Sequence, residues 1–135
     1  MFDTDLKVDS PAPLLLDIQN GFLRSDSSLV RDGLFPPISH DRAELTANLQ
    51  SVVNAMRQAG RPVFYINSGF RADKADCYFA PAWRRCVSAD PHLLVEGSDS
   101  AAVIEGITPR DGEFIMTKKG HSAFQSLTWT GRWAT

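Results

Sequence analysis

The chain is poor in cysteine: in 135 residues it carries Cys77 and Cys86 and no others. Two thiols are too few for a disulfide framework, and these two lack the paired spacing of a zinc site. A reducing compartment, the cytoplasm, is therefore the expected localisation. Histidine is nearly as sparse. His40, His92 and His121 are scattered without ligand spacing, and neither a metal nor any other cofactor is expected. Charge of neither sign dominates, with 14 basic against 16 acidic residues and a formal net charge of -2. That balance gives no electrostatic footprint for nucleic acid. No apolar run approaches the roughly 20 residues that span a bilayer, and Met1 to Asp5 has neither the basic nor the apolar region of a signal peptide. A Gly-x-Gly-x-x-Gly turn and a Walker lysine loop are both missing, which argues against a nucleotide-binding α/β domain of the usual kinds.

What the chain does have is a strong opening strand. Leu14-Leu15-Leu16 ends in Asp17 and then a polar Gln19-Asn20-Gly21 turn. A short apolar run bounded in this way reads as a strand of a parallel sheet, buried on both faces. Ligands of open α/β sheets bind outside the carboxyl ends of the strands, where Asp17 falls. A Ser-, Asp- and Pro-rich connection follows, read as loop with one short helical turn, reaching Pro36-Pro37. Next comes a clear helix. Asp41 and Glu44 form a capping box, and Leu45, Leu49, Val52, Val53 and Met56 repeat at helical spacing. Gly60 and Pro62 end it.

Val63 to Asn67 is a second strand and Phe114 to Thr117 a third, with Lys118 at its carboxyl end. Strand, helix and strand in this order form a right-handed crossover with parallel strands. Between the second and third strands, the mixed stretch from Phe70 to Pro91 reads as a pocket wall, and Ser98 to Ile104 as a short helix. Taken singly, an Asp after a strand is a turn-former and a Lys is a solvated cap. At the ends of parallel strands, the two can share a crevice.

The run Leu14 to Phe22, and the run Ile115-Met116-Thr117-Lys118-Lys119-Gly120-His121-Ser122-Ala123-Phe124, resemble the opening and lysine motifs of the isochorismatase-like cysteine hydrolases. Gly60 to Tyr65 and Pro109 to Glu113 sit where that family has its second strand and the turn into its third. The resemblance covers about residues 12–125. It implies a Rossmann-like three-layer α/β/α domain with a parallel sheet, C-terminally incomplete, preceded by a polar arm at 1–11 and followed by an atypical tail at 126–135. It further implies hydrolysis of an amide-type C–N bond in a small molecule by an Asp-Lys-Cys triad. Asp17 would be the base that takes the thiol proton. Lys118, four residues before Ser122, would be the cation that orients Asp17, leaving Lys119 a solvated neighbour. Gln19, Phe22, Phe70, Arg71 and Phe124 would face substrate, with Arg71 able to pair with a carboxylate.

The family's nucleophilic cysteine lies after a further helix and strand, and nothing from Gln125 to Thr135 matches it. Cys77 and Cys86 read as small hydrophobes in a pocket wall. A truncated or frameshifted chain, inactive in this form, is therefore expected. The family's sheet order also leaves Leu14 to Leu16 as an unpaired apolar edge, so a homo-oligomer or self-associating chain is expected. Two alternatives stand beside the hydrolase reading: a non-catalytic remnant that binds a small molecule or a protein, and an unrelated nucleotide-binding α/β domain.

Overall fold

A computed structural model describes residues 11–32, 42–124 and the backbone pairing of 128–129. The polar arm, the capping residue Asp41 and most of the C-terminal tail lie outside the described residues. Four strands form one sheet in the order β1-β2-β3-β4: β1 (Leu14–Leu16), β2 (Phe64–Ser68), β3 (Phe114–Lys118) and β4 (Thr128–Trp129). The first three run parallel, with Leu16 opposite Ile66 and Ser68 opposite Lys118. β4 pairs antiparallel with β3; the tail's composition gave no sign of it.

The helices are α1 (Asn20–Leu23), α2 (Ser28–Arg31), α3 (Arg42–Gln58) and α4 (Pro81–Ala89), with a 3-10 turn at Asp99–Ala101. The first two replace the single turn expected in the long connection. α4 arises inside the stretch read as a pocket wall, started by Pro81, whose fixed φ suits the first helical position. α3 ends in a Schellman motif. Gly60 sits at φ 64, the Arg61 amide donates to Met56 O and the Gly60 amide to Arg57 O, and Pro62 stops further winding.

α3 covers one face of the sheet. Leu15, Val53, Val63, Tyr65, Ile104 and Ile107 form the core there, with Leu45, Leu49, Met56 and Ile115 packed against it. Val52 faces solvent instead, 46% exposed, because the stripe that meets the sheet runs 45, 49, 53, 56. Arg57 pins the helix to the sheet through Glu113, at 2.7 Å with both side chains 11% exposed. The Tyr65 hydroxyl donates to Ile107 O at 2.8 Å and accepts from Arg57. A second core of Leu29, Phe70, Cys77, Phe79, Val87, Leu93 and Leu94 caps the carboxyl ends of the strands.

The other sheet face has no helical layer among the described residues. Leu14 and Leu16 are 58% and 49% exposed, and Phe64 stacks on Phe114 with ring centroids 4.6 Å apart. β1 is the edge strand. Pro13 O and the Asp17 amide bond to β2, so the alternating backbone groups of Leu14 and Leu16 point away from it. No described helix is long and apolar enough to cross a membrane.

Candidate active site

Three parallel strands each deliver one polar side chain to the same place. Strand β1 ends at Asp17, whose backbone turns left-handed with φ 54, a conformation that Asp tolerates better than most residues. The Asp17 amide still bonds Ile66 O at 2.9 Å, so the turn swings the carboxylate back over the end of β2. There Asp17 Oδ1 accepts from Ser68 Oγ at 2.8 Å, and Oδ2 meets Lys118 Nζ at 2.8 Å. Ser68 and Lys118 are register partners on neighbouring strands, so their side chains leave the sheet on the same face.

The pair is unevenly buried, with Lys118 6% and Asp17 31% exposed. A carboxylate offers about four lone-pair positions; two are taken here and the open side faces solvent. The arrangement is a carboxylate fixed by a serine and an ammonium, with room to accept one more proton. Lys118 Nζ also lies 6.0 Å from the Phe79 ring centroid, a cation–π approach. Phe79 in turn packs on Phe70, Trp83 and His121. Ser68 was not singled out in the sequence. A serine at a strand end carries no periodicity, and the register with Lys118 is what reveals it.

The remaining expected site residues are placed differently. Gln19 is fully buried, and its side chain donates to Ser68 O and Ala101 O while accepting from the Ser68 amide. Every part of that amide is taken by the backbone, so Gln19 braces the end of β2 and has no group free for substrate. Phe70 is likewise fully buried in the second core, and Phe22 packs against both cores. Arg71 is exposed and paired with Asp73 at 2.8 Å. Phe124 is 92% exposed.

Lys119 is not a solvated neighbour. It is 8% exposed, and its ammonium binds Gly69 O at 2.8 Å, Asp76 at 2.9 Å and Glu96. The cause is strand geometry: consecutive residues point to opposite faces, so Lys118 and Lys119 enter different environments. Burial would lower the Lys119 pKa, but the two carboxylates more than offset it and hold it above its usual 10.5. Burial likewise pushes Asp76 up, and Lys119 with the Arg71 amide brings it below its usual value.

Of the two thiols, Cys77 is 1% exposed within the second core. Cys86 lines a separate cavity with Ser28, Arg31 and Asp90. Among the described residues no three His, Cys, Asp or Glu side chains are grouped to hold a metal ion.

Residues 11–130 match the family model described as the isochorismatase domain. The chain belongs to the isochorismatase family. This membership removes the unrelated nucleotide-binding domain from consideration. Among curated proteins, the chain is similar to the ureidoacrylate amidohydrolase RutB of Methylobacterium radiotolerans, at 28% identity over 122 residues. That match spans 82% of this chain and 46% of RutB. Among solved isochorismatase-like structures it is similar to an isochorismatase family protein from Desulfovibrio vulgaris, with TM-score 0.67 and 22% identity, over 86% of this chain and 56% of that one. It is also similar to the N-carbamoylsarcosine amidase of Thermoplasma acidophilum, with TM-score 0.60 and 21% identity, over 87% and 57%. At these identities the structures speak for the fold. The chain thus spans about half the length of the isochorismatase-family relatives it matches.

Proposed function

We propose that this chain carries the acid–cation half of a cysteine-hydrolase site that cleaves an amide-type C–N bond in a small molecule. The observation that supports it is the 2.8 Å pair between Asp17 and Lys118 at the carboxyl ends of β1 and β3. In this reading Asp17 takes the proton of a thiol supplied from outside the described residues, and Lys118 holds the carboxylate in place. The thiolate then bonds to the amide carbon. The tetrahedral adduct expels the amine, which leaves with the proton that Asp17 had accepted, and a thioester remains. Water, deprotonated by the same carboxylate, releases the acid and restores the thiol. The names of two relatives, a ureidoacrylate amidohydrolase and an N-carbamoylsarcosine amidase, favour a ureido-type substrate.

A second reading, a binding remnant without turnover, is favoured by the two cysteines, one sealed in a core and the other on a separate cavity. The open apolar edge at Leu14 and Leu16 supports the self-association expected from the sequence, which sedimentation velocity over a range of concentrations tests. The readings separate on one assay. Ammonia release from a panel of amides and ureides is measured with this chain, and with this chain fused to the second half of RutB. Turnover by the fusion and none by the chain alone supports the hydrolase half-site. A folded fusion inert towards the whole panel supports the remnant.

A further inference from the structure

Beside the Asp17–Lys118 pair lies a cavity of about 350 Å³ lined by Phe79, Pro81, Arg84, Arg85 and Ser88. Four of these five residues fall at positions 81, 84, 85 and 88 of α4, the spacing that places side chains on one helical face. The opposite face of the same helix is anchored in the second core through Val87, with Trp83 and Cys86 packed against that core. The cavity wall is therefore a polar helix face set opposite an aromatic ring. Phe79 is shared: it lines this cavity, and its ring is the one that Lys118 Nζ approaches at 6.0 Å.

The two arginines stand out by their surroundings. Arg24, Arg31, Arg57 and Arg71 each have a carboxylate within 3.1 Å. Among the described residues neither Arg84 nor Arg85 forms a salt bridge or a side-chain hydrogen bond, and both are exposed. Two guanidinium groups on one wall repel each other, and an anion placed between them relieves that repulsion. Each presents a rigid fork of N–H donors matched to the two oxygens of a carboxylate, and the Ser88 hydroxyl on the same wall adds a further donor.

We propose that this cavity is a carboxylate-binding subsite, and that the small amide taken by the neighbouring site bears a carboxylate. The proposal rests on the Asp17–Lys118 reading for the location of the scissile bond. The carboxylate binds at Arg84 and Arg85, the body of the ligand lies along Phe79, and the amide end reaches the pair on the other side of that ring. The step is recognition alone and needs no chemistry from the arginines.

The test is ligand binding by the 135-residue chain, measured by isothermal titration and amide chemical-shift perturbation. The probes are N-carbamoylglycine and its uncharged counterpart, N-carbamoylglycinamide. The acid binds about tenfold more tightly than the amide, the value of one charge-assisted hydrogen-bond pair. Arg84→Gln and Arg85→Gln each shrink that ratio and the double variant brings it to one, with the affinity for the neutral amide unchanged. Arg31→Gln, an exposed control on α2, leaves the ratio intact. Raising the salt narrows the ratio as well.

Equal affinities for the two probes overturn the proposal. So does a preference that survives in the double variant, or no detectable binding of the acid at about 10 mM. Lys118→Ala separates this from the parent reading, since it weakens both probes alike if the pair holds the amide end. Arginine-dependent preference with no effect of Lys118→Ala would leave the subsite standing and sink the assignment of the pair. The reverse pattern would do the opposite.

Discussion

The uneven burial of the Asp17–Lys118 pair makes its two halves unequal in stability. Asp17→Asn keeps the shape, keeps the Ser68 bond, and suits the left-handed backbone at φ 54, because Asn adopts that region at least as well as Asp. It leaves Lys118, 6% exposed, without a counter-charge. Breaking a buried pair from one side costs about 3–5 kcal/mol. Because Asp17 is partly exposed and water reaches the site, the expected loss is at the lower end, about 3 kcal/mol. Lys118→Met instead removes the buried charge and leaves a carboxylate that is 31% exposed and still bonded to Ser68. Its expected cost is about 1 kcal/mol. The double variant, with no charge left at the site, costs less than Asp17→Asn alone. Urea unfolding followed by circular dichroism, with equal slopes for all four proteins, measures the three differences. If Lys118→Met costs as much as Asp17→Asn, or the double variant costs the sum of the two, the ammonium is not buried against that carboxylate as described.

Three further outcomes follow from the clamps around the site. Burial tends to raise the Glu113 pKa, but the Arg57 hydrogen bonds and the Arg110 amide outweigh it and hold it below 4.5. The stabilisation is therefore complete above the unfolded value and is lost as pH falls through the depressed folded value. Glu113→Gln flattens the acid limb of a stability–pH curve between about pH 5 and 3; an unchanged limb refutes the clamp. Lys119→Met unties Gly69 O, Asp76 and Glu96 together and costs about 3 kcal/mol, with faster amide exchange over residues 69–76; loss of stability without faster exchange there would contradict it. Gly21→Ala places a Cβ 2.7 Å from Ser100 Oγ and 2.8 Å from Leu94 Cδ2. Overpacking of that kind costs about 1–3 kcal/mol, and a thermal melt that matches the parent's would refute the close approach.

How much of this was legible depends on whether a residue's role is local. α3 was readable from its apolar period, and its end from Gly60 and Pro62, because caps and periodicity are written in adjacent residues. The three parallel strands, and the placing of Asp17 and Lys118 at the same sheet edge, followed from strand order. Resemblance then supplied the meaning of the pair. Ser68 was not readable, since its part depends on the register between β2 and β3. The burial of Lys119 was missed because a Lys-Lys pair looks alike on paper, while a strand sends its members to opposite sides. α4 was hidden because its two faces, one with Val87 and Trp83, the other with Arg84, Arg85 and Ser88, blend into an unpatterned string. Gln19 and Phe70 were read as lining a pocket from their position after strands. Once folded, each is more useful to the backbone and the core than to a ligand. The cost of spanning half the family's length is visible in Leu14 and Leu16, apolar residues whose sheet face no described element covers.

The measurement closest to the central claim is the rate of ammonia release from N-carbamoylglycine by the fusion of this chain to the second half of RutB, compared with its Asp17→Asn and Lys118→Ala variants. The account predicts turnover by the parent fusion and a loss of at least about a hundredfold in each variant, the scale of a positioned general base, with cooperative unfolding retained. Undiminished turnover in either variant would contradict it.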